Sequence, residues 1–102
     1  MSEVFSFLHG NERLKVVVAG KYKDETFAYR VVDEEGMPYA TLSVCLEGNP
    51  PAEGCFWLKH WGENEPLART LWSIRAISYT GRTCPSGYVI VQEAKFNLTT
   101  KE

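Results

Sequence analysis

The chain has 102 residues, 44% of them apolar and 24% charged, with a formal net charge of −2. That length suits one domain, and that balance excludes a disordered chain. No basic excess is available for a phosphate backbone, and no apolar run nears the roughly 20 residues that cross a bilayer, so neither direct nucleic-acid binding nor a membrane span is expected.

The opening MSEVFSFLHGNERLK has no basic flank before its apolar stretch and no small-residue cleavage site, so it is not expected to be a secretion signal. Residues 4–9 (VFSFLH) alternate loosely and stop at Gly-Asn-Glu, a turn signal. Residues 13–20 put Leu14, Val16 and Val18 on one face, which fits a strand. Residues 26–32 (TFAYRVV) are aromatic and β-branched and end at DEEG, a hairpin-type turn. Residues 38–46 alternate Tyr39, Thr41, Ser43 and Cys45 against Ala40, Leu42, Val44 and Leu46, the clearest half-buried strand in the chain. Consecutive strands joined by short turns predict an antiparallel meander.

Residues 47–54 hold two prolines and two glycines and are expected to be a loop. A fifth strand over 55–61 sets Phe56, Leu58 and His60 opposite Cys55, Trp57, Lys59 and Trp61. Asn64 then has the chemistry of a helix N-cap, Glu65 complements the positive helix end, and Pro66 suits the first turn. Leu67, Leu71, Ile74 and Ser78 form a stripe that Ala68 and Trp72 widen, predicting a helix over 65–75 with Arg69 and Arg75 facing away. Residues 79–88 (YTGRTCPSGY) are expected to be a Gly/Pro loop, residues 88–98 a last strand, and 98–102 a frayed end. The expected fold is α+β in one domain over 1–102: a curved antiparallel sheet of about six strands, order β-β-β-β-β-α-β, with one short helix on one face.

Chemistry-bearing motifs are scarce. His9 and His60 are the only histidines, and neither lies in a G-x-S-x-G or H-E-x-x-H pattern. His60 and Glu63 give H-x-x-E across a strand end and a turn, where a zinc ion would need two more ligands. TGRTCPSG lacks the Gly-Lys-Ser/Thr of a phosphate loop, and Cys84 beside Arg82 has no base. No catalytic residue, metal or cofactor is therefore expected. Cys45, Cys55 and Cys84 are odd in number and widely spaced, which predicts reduced thiols in the cytoplasm. There Asn97-Leu98-Thr99, a glycosylation acceptor by pattern, goes unused.

Charge is unevenly placed. Residues 24–65 carry nine acids against Arg30 and Lys59, so the middle is acidic while both ends are mildly basic. Such asymmetry steers a basic partner, unless the acids are simply hairpin and loop residues. The tryptophans leave a parallel choice. Trp57 or Trp61 is expected under the helix with Trp72, and one strand-end tryptophan remains available as an interaction anchor.

Two segments, WGENEPLA and TGRTCPSGYV, resemble a family of small proteins encoded by bacteriophages and conjugative elements, whose function is not known. The matching residues are Phe56, Trp61, Glu63, Asn64 and Glu65, then Thr80, Gly81, Arg82, Pro85 and Gly87. The match covers the C-terminal half, with PYATLSV more loosely. This resemblance implies an origin on mobile DNA and, from that origin, an inhibitor of host defence, an anti-CRISPR protein above all. The partner would be a host protein such as a CRISPR nuclease or surveillance-complex subunit. Glu63, Asn64, Glu65 and the acidic turn Asp33, Glu34 and Glu35 are the expected contacts, with Trp61 and Arg82 as anchors. A structural or regulatory accessory protein, homodimeric through a sheet edge, is the alternative. A ligand binder or enzyme using the 82–87 loop with His60 is a third reading.

Overall fold

A computed structural model describes residues 2–97. Ser2–His9 (β1) and Glu12–Lys21 (β2) pair as an antiparallel hairpin down to His9 opposite Glu12. Gly10 and Asn11 make the turn, and Gly10 has φ 64°. Two-residue turns that match strand twist need positive φ at the first central position, which glycine supplies without steric cost. Phe27–Asp33 (β3) and Pro38–Thr41 (β4) complete a four-stranded sheet in the order β1-β2-β3-β4.

At Leu42 the chain changes sheets. The Leu42 N–H donates to the Tyr29 carbonyl at 3.0 Å on the first sheet, and its own carbonyl accepts from the Lys59 N–H at 2.8 Å beside the second. Ser43–Val44 (β5) then pairs with Phe56–Leu58 (β6), which pairs with Val89–Phe96 (β8), which pairs with Ile77–Ser86 (β7). The α+β class therefore holds, but the single curved six-stranded sheet does not. Two four-stranded antiparallel sheets take its place. Unbroken alternation over 38–46 shows which side chains are buried, and it is blind to the strand that each half bonds.

The 79–88 segment is corrected as well. It is most of β7, and its glycine and proline fall where a strand tolerates them. Gly81 lies within a register break between Tyr79 and Thr83, and Pro85 sits on an edge strand. Gly87, at φ 61°, opens the tight turn into β8.

The core lies between the sheets. Phe7, Leu14, Val16 and Val31 of the first meet Phe56, Leu58, Ile77 and Ala94 of the second. Phe96 is the aromatic hub: its ring stacks on Phe56 at 4.7 Å and meets Tyr29 edge-on at 4.9 Å. A 3-10 turn over Gly62–Asn64 leads into a helix, Glu65–Ser73 (α1), whose Leu67, Ala68 and Leu71 complete this core. The helix is shorter than 65–75 because Arg75 adopts φ 63° and the Ala76 N–H closes back onto the Leu71 carbonyl. No helix among the described residues is long and apolar enough to cross a membrane. The expected frayed end, 98–102, lies outside the described residues.

Candidate functional site

Helix α1 buries a narrower stripe than its sequence suggests, and the remainder faces outward. Trp72 is 58% exposed and Ile74 is also exposed, so the expectation that Trp72 joins the core is overturned. Leu67, Ala68 and Leu71 fill the available interface, which leaves Trp72 at its margin. On one side of Trp72 a groove of about 420 Å³ is lined by His60, Glu65, Ala68, Arg69 and Tyr79. On the other side a groove of about 410 Å³ is lined by Ser73, Arg75, Ile77, Ser78 and Asn97.

Polar contacts fix the rim of this surface. Arg69 donates to Glu65 at 3.3 Å one helical turn away. The His60 Nε2 lies 3.1 Å from the Ile90 carbonyl, and its ring meets Trp61 edge-on at 5.3 Å. Burial pushes the Tyr79 phenol above its ordinary pKa, so it stays a neutral donor. Trp61, half-buried, therefore adjoins the groove through His60.

The other expected contact residues lie apart from this groove, with Glu63 and Asn64 on one further cleft. Glu63 is exposed beside a polar cleft of about 410 Å³ that also involves His9, Tyr39 and Lys59, where His9 Nδ1 lies 2.8 Å from the Thr70 hydroxyl. Asn64 is only 3% exposed and makes no side-chain cap. Its amide instead donates to the Thr41 carbonyl at 2.7 Å and the Lys59 carbonyl at 3.2 Å, tying the helix start to both sheets. Asp33 organises the β3–β4 turn, its Oδ1 accepting from the Glu35 and Met37 N–H groups at 2.9 Å each. Glu34 and Glu35 are exposed at that tip, beside Asn11, Glu12 and Arg13.

Arg82 is held elsewhere, in a network that was invisible as a network in the sequence. Glu93 of β8 is 2% exposed beside Trp57, which is 1% exposed, on the side of the second sheet away from the core cluster. Its carboxylate accepts from Arg82 at 2.9 Å, the Thr80 hydroxyl at 2.6 Å and the Ala52 N–H at 2.7 Å. Burial alone raises the Glu93 pKa, but those three donors outweigh it and hold the carboxyl below its ordinary value. Arg82 also donates to the Pro50 carbonyl at 3.2 Å and lies 5.4 Å from the Trp57 ring centre, while the Trp57 indole N–H donates to the Asn49 carbonyl at 2.6 Å. The 47–54 loop is thus strapped over Trp57 by side chains. One signal pointed there: an acid two residues after Val91, on the strand face that Val89 and Val91 begin.

The three cysteines are free thiols, and burial raises the pKa of Cys45 and Cys55, which lowers their reactivity. No group of three or more His, Cys, Asp or Glu residues gathers into a metal site among the described residues. Comparison of the chain with protein-family models, with curated proteins and with solved structures finds no match. The likeness to proteins of phages and conjugative elements accordingly rests on its two short motifs alone.

Proposed function

We propose that this chain is a stoichiometric protein-binding module that docks a partner on its Trp72 face. In that role it would be a mobile-element inhibitor of a host defence protein, in first place a CRISPR nuclease or surveillance-complex subunit. The observation that carries the binding role is the exposure of Trp72 between two grooves edged by Arg69, Tyr79, His60 and Arg75. Tryptophan, tyrosine and arginine are the residues that most often dominate binding energy, and a large flat ring left in water at 58% exposure gains most from being covered. Glu63 and Glu65 at the helix start, with Glu34 and Glu35 at the hairpin tip, supply acidic groups for steering a basic surface. The defence-protein identity of the partner is supported only by the motif resemblance.

A titration against a purified effector tests the reading. Target cleavage is expected to fall in proportion to added protein and to stop near equal molar amounts. The Trp72→Ala variant is expected to bind at least about tenfold more weakly while keeping its fold within about 1 kcal/mol. Inhibition that persists with the effector in large excess over the protein would remove the stoichiometric mechanism. Unchanged binding by Trp72→Ala would remove this surface.

A further inference from the structure

Two open sheets present four edges, and three of them are guarded. The outer side of β4 is met by the Asn64 amide, which donates to the Thr41 carbonyl at 2.7 Å. On β5 the Ser43 carbonyl accepts from the Tyr22 hydroxyl at 3.0 Å, while the Ser43 hydroxyl takes the Tyr29 N–H at 2.9 Å. Strand β7 is broken by its register shift between Tyr79 and Thr83 and carries Pro85, which has no N–H to offer. These are the devices by which sheets refuse a further strand.

The fourth edge, β1, has none of them over Phe5–His9. Its sequence SEVFSFLH contains no proline, glycine or lysine, and its single irregularity falls at its start, between Glu3 and Phe5. No backbone or side-chain group among the described residues hydrogen-bonds its outer side. Leu8 on this strand is 54% exposed. An unguarded, regular, apolar-leaning edge is a template for another strand.

We propose that β1 is a self-association edge, on which two copies pair β1 against β1 antiparallel about a two-fold axis and join two four-stranded sheets into one of eight. The occupant is a second copy because an antiparallel pair is self-complementary, so one strand satisfies its own partner. Charge permits it, since Glu3 is the only acid of β1 and neither lysine nor arginine occurs there. Side-chain direction favours it too. Phe7 points into the core and Leu8 to the other face, and antiparallel pairing keeps each face on its own side of the joined sheet, where Leu8 gains cross-strand neighbours. This inference stands apart from partner docking at Trp72 and needs no second protein.

Sedimentation of the protein alone, from micromolar to millimolar concentration, is the test. A reversible monomer–dimer equilibrium is expected. Ser6→Lys, at an exposed position of β1, is expected to weaken it by roughly tenfold or more, with Ser6→Thr close to the parent. Amide exchange at low and high concentration gives a readout that needs no variant, with extra protection at high concentration confined to β1. A monomer throughout the range overturns the proposal, even if strands of other proteins bind there. So does a dimer that withstands Ser6→Lys, or one whose added protection falls elsewhere.

Discussion

Arg82 donates to Glu93 Oε2 at 2.9 Å, and this pair closes the outer side of the second sheet. The guanidinium is half exposed while the carboxylate is buried, so the two ends of the bridge have different environments. Removing the arginine leaves a buried charge with two of its three donors. Arg82→Ala is therefore expected to lower stability by about 2–3 kcal/mol, less than for a fully buried pair because water reaches the vacated side. Chemical denaturation measures this directly. A loss near zero would show that the Thr80 and Ala52 donors suffice.

The same carboxylate predicts an acid dependence. Its folded-state pKa lies below that of an unfolded glutamate, held there by Thr80, Ala52 and Arg82 against the opposing effect of burial. The stability it contributes is fully present above about pH 4.3 and is lost as pH falls through the folded value. Comparing the parent with Glu93→Gln isolates this group from Asp24, which the Thr26 hydroxyl and N–H also hold low. The stability difference between the two proteins is expected to be flat from neutral pH to about pH 5 and to shrink below it. A difference that grows on acidification would contradict the assignment.

Asn64 separates two structural roles that its sequence position cannot. A helix cap uses the side-chain oxygen, and aspartate serves there as well as asparagine. The observed amide instead donates to the Thr41 and Lys59 carbonyls, which an aspartate cannot do. Asn64→Asp is thus expected to destabilise by about 3 kcal/mol at neutral pH, because a buried carboxylate would face two acceptors. Thermal melts of the two proteins decide between the roles, and equal melting temperatures would restore the cap.

Local pattern carried much of the fold. Alternation located β1, β2, β6 and β8, aromatic and β-branched composition located β3, and the Pro66 turn located the helix start. What it missed was set by distant partners. Leu42 divides one alternating run because Tyr29 and Lys59 bond it from different sheets. Gly81 and Pro85 argue for a loop only until an edge strand is available to hold them. Trp72 belongs to the helical stripe, but Leu67, Ala68 and Leu71 already fill the space beneath it. The contact residues scattered for the same reason: Arg82 was taken by Glu93, eleven positions away in sequence, and Asn64 by two carbonyls.

Arg75 offers a stabilising change whose effect on binding is informative. At φ 63° it occupies the left-handed position that ends the helix, where its N–H bonds the Trp72 carbonyl and the next N–H bonds Leu71. Glycine is the usual residue there, since a side chain in that conformation costs about 1 kcal/mol. Arg75→Gly is expected to raise stability by about 0.5–1 kcal/mol, read as a higher midpoint in urea. Arg75 also lines the groove beside Trp72. If the Trp72 face docks a partner, the same variant should bind more weakly while being more stable, a combination that damage to the fold cannot produce. A variant that is more stable and binds equally well would take Arg75 out of the surface and leave its strain without a functional counterpart.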